Sequence, residues 1–152
     1  MLNEQQVILS KLRLQSANED YIIAKSLLND GHYKAANNRA YYSVFHAIRA
    51  VLALESKDFK RHAQVIGYFN KEYIHAGHFE PRFFEIIKTA SRSRTNSDYE
   101  DYYIATKEEA AENVSNAKLF LTATESYVAH RMDQEYEPPD SSEPEGEDKL
   151  EP

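Results

Sequence analysis

The sequence predicts an all-α protein, an antiparallel up-and-down helical bundle of four main helices plus a short helix. Three observations carry this. Helix breakers are scarce: the 152 residues hold four glycines, and of five prolines only Pro81 precedes the last twenty residues. Apolar residues recur at threes and fours, with no strand-like alternation and no internal repeat. The gaps between these runs are short, which favours antiparallel neighbours.

The first helix is expected from about Glu4 to Asn29, with Asn3 as its cap and Gln6 three residues on. Val7, Leu14, Ala17, Tyr21, Ala24 and Leu28 form one apolar face, and Asn29-Asp30-Gly31 ends the run. A second helix follows from about Tyr33 to Glu55, and a third from about Arg61 to His75 with Val65, Ile66, Phe69 and Tyr73 inward, stopped by Gly77. Pro81 suits the first position of a fourth, shorter helix carrying Phe83, Phe84, Ile86, Ile87 and Ala90. The polar stretch SRSRTNSDYEDYY then reads as a loop or a frayed helix end. Thr106 and Glu109 are spaced as a capping box for the last helix, where Ala110, Val114, Ala117, Leu121, Thr124 and Val128 repeat at fours and threes, fading near Arg131.

Residues 1–132 thus form one helical domain, and 133–152 an acidic tail expected to be disordered, since its Pro, Ser, Gly and Glu content buries too little apolar area. From Asp133 onward nine acids face one base, so the tail carries -8 of a formal net charge of -7 and leaves the body at +1. The low isoelectric point therefore does not exclude a nucleic-acid partner, and the tail is a candidate competitor with RNA for a basic pocket. The chain has no cysteine, which excludes disulfides and thiolate metal sites. It has no apolar run approaching the roughly 18 residues of a membrane span, and its first residues lack a signal-peptide block. A soluble cytoplasmic protein, without a membrane partner, is the expectation.

The second helix separates into three strips at 100° per residue. Tyr33, Tyr41, Val44, Phe45, Ile48, Val51 and Leu52 make the core side. Ala36, Ser43, Ala47 and Ala50 make a small-residue strip that admits a close helix, from the bundle or from a second subunit. Ala35, Arg39, Tyr42, His46, Arg49 and Ala53 make the third. Arg39 offers a permanent charge and a planar donor fork suited to phosphate. His46 exchanges a proton near neutral pH, and Tyr42 between them can stack on a base or donate a hydrogen bond. These are parts for binding RNA and for metal-independent cleavage, which needs proton transfer at the 2′-hydroxyl and charge stabilisation at the phosphate. A solvated face whose arginines pair with neighbouring carboxylates uses the same residues.

Arg92, Arg94, Asp98 and Tyr99 form a second polar cluster, able to clamp a phosphate or to pair internally. His75 and His78 straddle Gly77 without a third ligand, so no metal site is expected, and no cofactor. Arg61 and His62 are adjacent, point apart, and read as a solvated helix start.

The segments NRAYYSVFHAIRAVL, KRHAQVIGYFNKEYIHAG, SRSRTNSDY and EEAAENVSNAKLFL, in this order, resemble the HEPN family (higher eukaryote and prokaryote nucleotide-binding domain) over about Glu4 to His130. The resemblance implies an α-helical bundle, commonly a homodimer, often encoded beside a minimal nucleotidyltransferase as a toxin–antitoxin pair. Many such proteins are metal-independent ribonucleases, and others bind RNA or nucleotides without cutting. Catalytic members carry an Arg, four to six residues and a His; Arg39 and His46 meet that spacing. The family usually has a polar residue after the Arg and places the motif on a late helix, whereas here Ala40 follows on the second helix. Two readings follow: an RNA- or nucleotide-binding module, with Arg39 steadying phosphate charge and His46 as general acid or base if it cleaves; or a non-catalytic dimeric module that binds a nucleotidyltransferase or another protein.

Overall fold

The computed structural model describes residues 1–139. Five helices follow in order: α1 Glu4–Asn29, α2 Tyr33–Ala53, α3 His62–Phe69, α4 Arg82–Tyr99 and α5 Lys107–Glu135. α2 is the central element and packs against all four of the others, while α5 also packs against α1 and α4. Among the described residues there is no strand, and no helix is long and apolar enough to cross a membrane.

α1 begins and ends as its sequence dictates. The Asn3 side chain accepts from the Gln6 N–H at 2.8 Å and the Gln6 side chain accepts from the Asn3 N–H at 3.0 Å, satisfying two otherwise free donors. Gly31 closes the helix at φ +83°, a left-handed conformation that glycine adopts without a Cβ penalty.

The small-residue strip of α2 is consumed inside the molecule. Ala36, Ser43, Ala47 and Ala50 are fully buried, and hydroxyls clamp α1 to α2 across the strip: Ser43 donates to the Ala17 carbonyl and Ser10 to the Ala50 carbonyl, both at 2.8 Å. The strip therefore serves contact within the bundle, and dimerisation through it is ruled out. On the opposite side Ile48, Val51 and Leu52 are fully buried, each worth about 1.5–3 kcal/mol of burial. A buried polar chain ties three helices: Asn113 donates to Asn37 at 3.0 Å, and Asn37 donates to Ser97 at 3.2 Å. With its partners supplied, such a chain fixes register at little net cost.

Four expectations need correction. α4 runs to Tyr99, so most of the predicted loop is helical. Ser93 and Ser97 turn inward and find partners in Glu109 and Asn37, so tertiary hydrogen bonds overrule their weak helix propensity. The third helix is not uniform: after Phe69 it widens into a π-helical turn over Asn70–Ile74, with Phe69 and Tyr73 stacked inward at 5.3 Å. At α5, Thr106 does accept from the Glu109 N–H at 3.1 Å. The Glu109 carboxylate, however, accepts from Ser93 and Tyr103 instead of completing the box. α5 also extends to Glu135, where the Glu135 carbonyl accepts from the Leu2 N–H at 2.7 Å. Asp133 to Glu135 thus belong to the bundle, and the expected disorder beyond Pro139 lies outside the described residues.

Candidate functional site

The polar strip of α2 opens into a groove against α1, about 430 Å³ in volume, whose walls include Glu19, Asp20, Arg39, Tyr42 and His46. Asp20 is its organising residue. It lies three residues after Ala17 and four before Ala24, on the buried face of α1, and is 8% exposed. A carboxylate so placed needs partners. Arg39 donates to its Oδ1 at 3.0 Å, and His46 Nε2 stands 3.5 Å from its Oδ2. Arg39 keeps nearly half of its side chain in solvent, so part of its donor fork remains available to an anion in the groove.

Burial lowers the His46 pKa; Asp20 opposes this, and Arg49, Arg13 and His62 add to the lowering. The carboxylate does not win, so His46 is neutral at pH 7 and able to accept a proton. Asp20 then stands ready to stabilise the imidazolium, the role a carboxylate plays beside a catalytic histidine.

Most of the second cluster joins the first. Arg94 donates to the Tyr42 hydroxyl at 3.0 Å, and its guanidinium lies 5.2, 5.4 and 5.6 Å from the ring centroids of Tyr41, Tyr42 and Tyr99. Asp98 pairs with Arg94 at 3.1 Å and accepts from Asn38 at 2.9 Å, tying α4 to α2. Tyr99 is two-thirds exposed. Arg92 does not join: it projects from another face of α4, into a separate groove with Ile66, Asn70 and Lys88. Arg49 is held at the far end of the strip by Asp58 at 2.7 Å, and Arg13 reaches the same carboxylate at 3.3 Å. Burial alone would raise the Asp58 pKa, but hydrogen bonds from Arg49 and the Phe59 N–H outweigh it and hold the carboxyl below its usual range.

Asp20, Asp58, Arg13 and His62 were missed as site residues in the sequence. Asp20 had a readable signal, an acid on an otherwise apolar α1 face. His62 had none, because only the fold carries it to α2. It is half-buried rather than solvated: its ring lies 4.0 Å from that of Phe45, and Nδ1 is 2.9 Å from the Tyr41 hydroxyl. Ala40 is explained by position, since it is buried at 1% exposure and faces away from the groove. Among the described residues no three His, Asp or Glu side chains cluster closely enough to hold a metal ion.

The HEPN domain family matches over residues 10–127. The chain belongs to the HEPN family. Two relatives of this HEPN protein come from Methanocaldococcus jannaschii. "Putative toxin MJ0142" is 31% identical over 115 residues, covering 76% of this chain and 78% of the relative. "Putative toxin MJ0605" is 32% identical over 108 residues, covering 71% and 80%. A UPF0332 protein of Thermotoga maritima is 27% identical over 127 residues, covering 84% and 96%. Among solved structures, TT1696 from Thermus thermophilus superposes with a TM-score of 0.66 at 17% identity, covering 77% of this chain and 96% of that one. The archaeal HEPN homologue ST0689 gives 0.57 at 17% identity, covering 78% and 97%. At that identity the two structures bear on the fold alone, and they agree with the helical bundle.

Proposed function

We propose that this HEPN protein binds RNA in the α1–α2 groove and cleaves it without a metal, acting as the toxin of a toxin–antitoxin pair. The observation that carries the reading is the convergence of Arg39 and His46 on one partly buried carboxylate, Asp20, at the wall of an open polar groove. Neutral His46 takes the proton from the attacking 2′-hydroxyl, and Arg39 offsets the charge that develops on the phosphate. Tyr42 and Tyr99 offer ring faces for bases. The toxin names of two relatives support this reading.

The test is cleavage of RNA in EDTA by purified protein. Wild type is expected to cut, and His46→Ala and Arg39→Ala to cut at least about 100-fold more slowly, while keeping wild-type helicity and a cooperative unfolding transition. Failure of the wild type to cut, or equal cutting by both folded variants, defeats the catalytic reading.

One observation favours a second reading. Arg39, Arg49 and Arg94 each have an aspartate partner already, in Asp20, Asp58 and Asp98. Such a network also suits a rigid, non-catalytic module that engages a nucleotidyltransferase or another protein. A nucleotidyltransferase gene next door and co-purification of the two products, without cleavage, would favour it. Tight RNA binding that weakens steeply with salt would count against it.

A further inference from the structure

We infer that His62 is a second proton-transfer residue of this site, the general acid that faces His46 as general base across the Tyr42–Arg94 pair. The inference rests on the ribonuclease reading above.

The geometry starts from one aromatic patch. His46 lies on α2 and His62 opens α3, yet both rings pack on Tyr42 and Phe45. His46 stands 6.1 Å from the Tyr42 centroid and 6.0 Å from that of Phe45. For His62 the two distances are 5.9 and 4.0 Å. Measured through Phe45, the two imidazole centroids lie within about 10 Å of each other. Attacking and leaving oxygens stand on opposite faces of one phosphorus. Two groups at this separation can each come within about 2.6–3.2 Å of one of those oxygens.

His62 is also held as a proton donor must be. Its Nδ1 is fixed by the Tyr41 hydroxyl at 2.9 Å. Burial, partly offset by Arg94, pushes the Tyr41 pKa up to about 12, so this phenol stays neutral and its oxygen can accept the Nδ1–H. That leaves Nε2 as the nitrogen that carries the exchangeable proton when the ring is protonated. Between the two histidines, the Tyr42 hydroxyl receives an Arg94 N–H and keeps its own proton to donate, which gives a phosphate a positive seat.

The surroundings assign the roles. His46 has Asp20 beside it to stabilise the cation formed on taking a proton. Burial, then Arg94 and Arg49, lower the His62 pKa, so its protonated ring is the minor form at pH 7 and gives up its proton readily. In the step, His46 removes the 2′-hydroxyl proton and the 2′-oxygen attacks phosphorus. The phosphorus–5′-oxygen bond breaks, and the leaving oxygen takes the Nε2 proton of those molecules in which His62 is protonated. The products are a 2′,3′-cyclic phosphate and a 5′-hydroxyl, and the two histidines end with exchanged protonation states, which solvent resets.

The test compares ordinary RNA with RNA carrying a bridging 5′-sulfur at one linkage, whose thiolate leaves without a proton. His62→Gln and His62→Phe are both measured, the second because it keeps the stack on Phe45. Either is expected to slow ordinary cleavage at least about 100-fold and to return to within several-fold of wild type on the sulfur substrate. His46→Gln is expected to be slow on both. His62 variants equal to wild type on ordinary RNA overturn the assignment and leave the ribonuclease reading standing. Equal loss on both substrates makes His62 a packing residue and overturns it as well. A wild type inert on both substrates overturns the reading and the inference together.

Discussion

At the scale of single residues, Asp20 and the two histidines set how the molecule responds to acid. Burial lowers the pKa of both His46 and His62 in the folded chain, below the value of about 6.5 of an exposed histidine. The unfolded chain therefore takes up these protons first. The resulting stability is complete above about pH 6.5 and is lost as pH falls toward the folded-state values. The unfolding temperature should drop between about pH 7.5 and pH 5, a window well above the depressed pKa of Asp58. His46→Gln should shrink that drop; a drop of unchanged size would show that His46 is not its source. Much of this chemistry was legible beforehand. Arg39, Tyr42 and His46 share a strip because the helical period requires it, and Asp20 shares the face of Ala17 and Ala24 for the same reason. His62 and Asp58 were not legible, because they reach α2 only through the turn of the chain after Leu54, and no local spacing encodes that turn.

At the scale of elements, contact between α1 and α2 decides where the groove lies. Ala47 and Ala50 let the two backbones approach, and Ser10 and Ser43 satisfy carbonyls across the gap. Ala47→Leu adds three heavy atoms where there is no room and should cost about 1–3 kcal/mol, read from the urea midpoint. Ala35→Leu, at an exposed position of the same helix, should change stability by less than about 0.5 kcal/mol. Equal effects would mean that the strip is not the tight contact described. Helix starts marked by local chemistry, such as Asn3 with Gln6 and Thr106, could be read from the sequence because cap and donor are three residues apart. The end of α4 could not. Ser93 and Ser97 look like loop residues until Glu109 and Asn37, from distant parts of the chain, supply their partners. The π-helical turn is equally non-local, since it seats Phe69 and Tyr73 against Phe79 and Tyr127.

At the scale of the whole molecule, exposed apolar residues of α1 border the groove. Ile8, Leu12, Ile22 and Ile23 project from the outer side of α1 with 50, 54, 57 and 41% of their surface exposed. They lie within about a third of a turn of one another at 100° per residue, on the side that also carries Ser16 and Glu19 into the groove. Scattered exposed apolar residues are ordinary, but two apolar pairs on one side of a helix, parted by Gln15, Ser16 and Glu19, make a candidate contact surface. With the small-residue strip of α2 buried, this face is where a homodimer would form. Two copies of α1 packed antiparallel about Gln15 would bring Ile8 of one against Ile22 and Ile23 of the other and set the two grooves side by side. Sedimentation equilibrium at micromolar concentration should then give twice the chain mass. Leu12→Glu combined with Ile22→Glu should give the monomer mass, with little loss of helicity because neither side chain enters the core. A wild type that sediments as a monomer at about 100 μM, where a contact weaker than about -5.5 kcal/mol would not hold, leaves these residues without this role. It would then require the groove of a single chain to act alone.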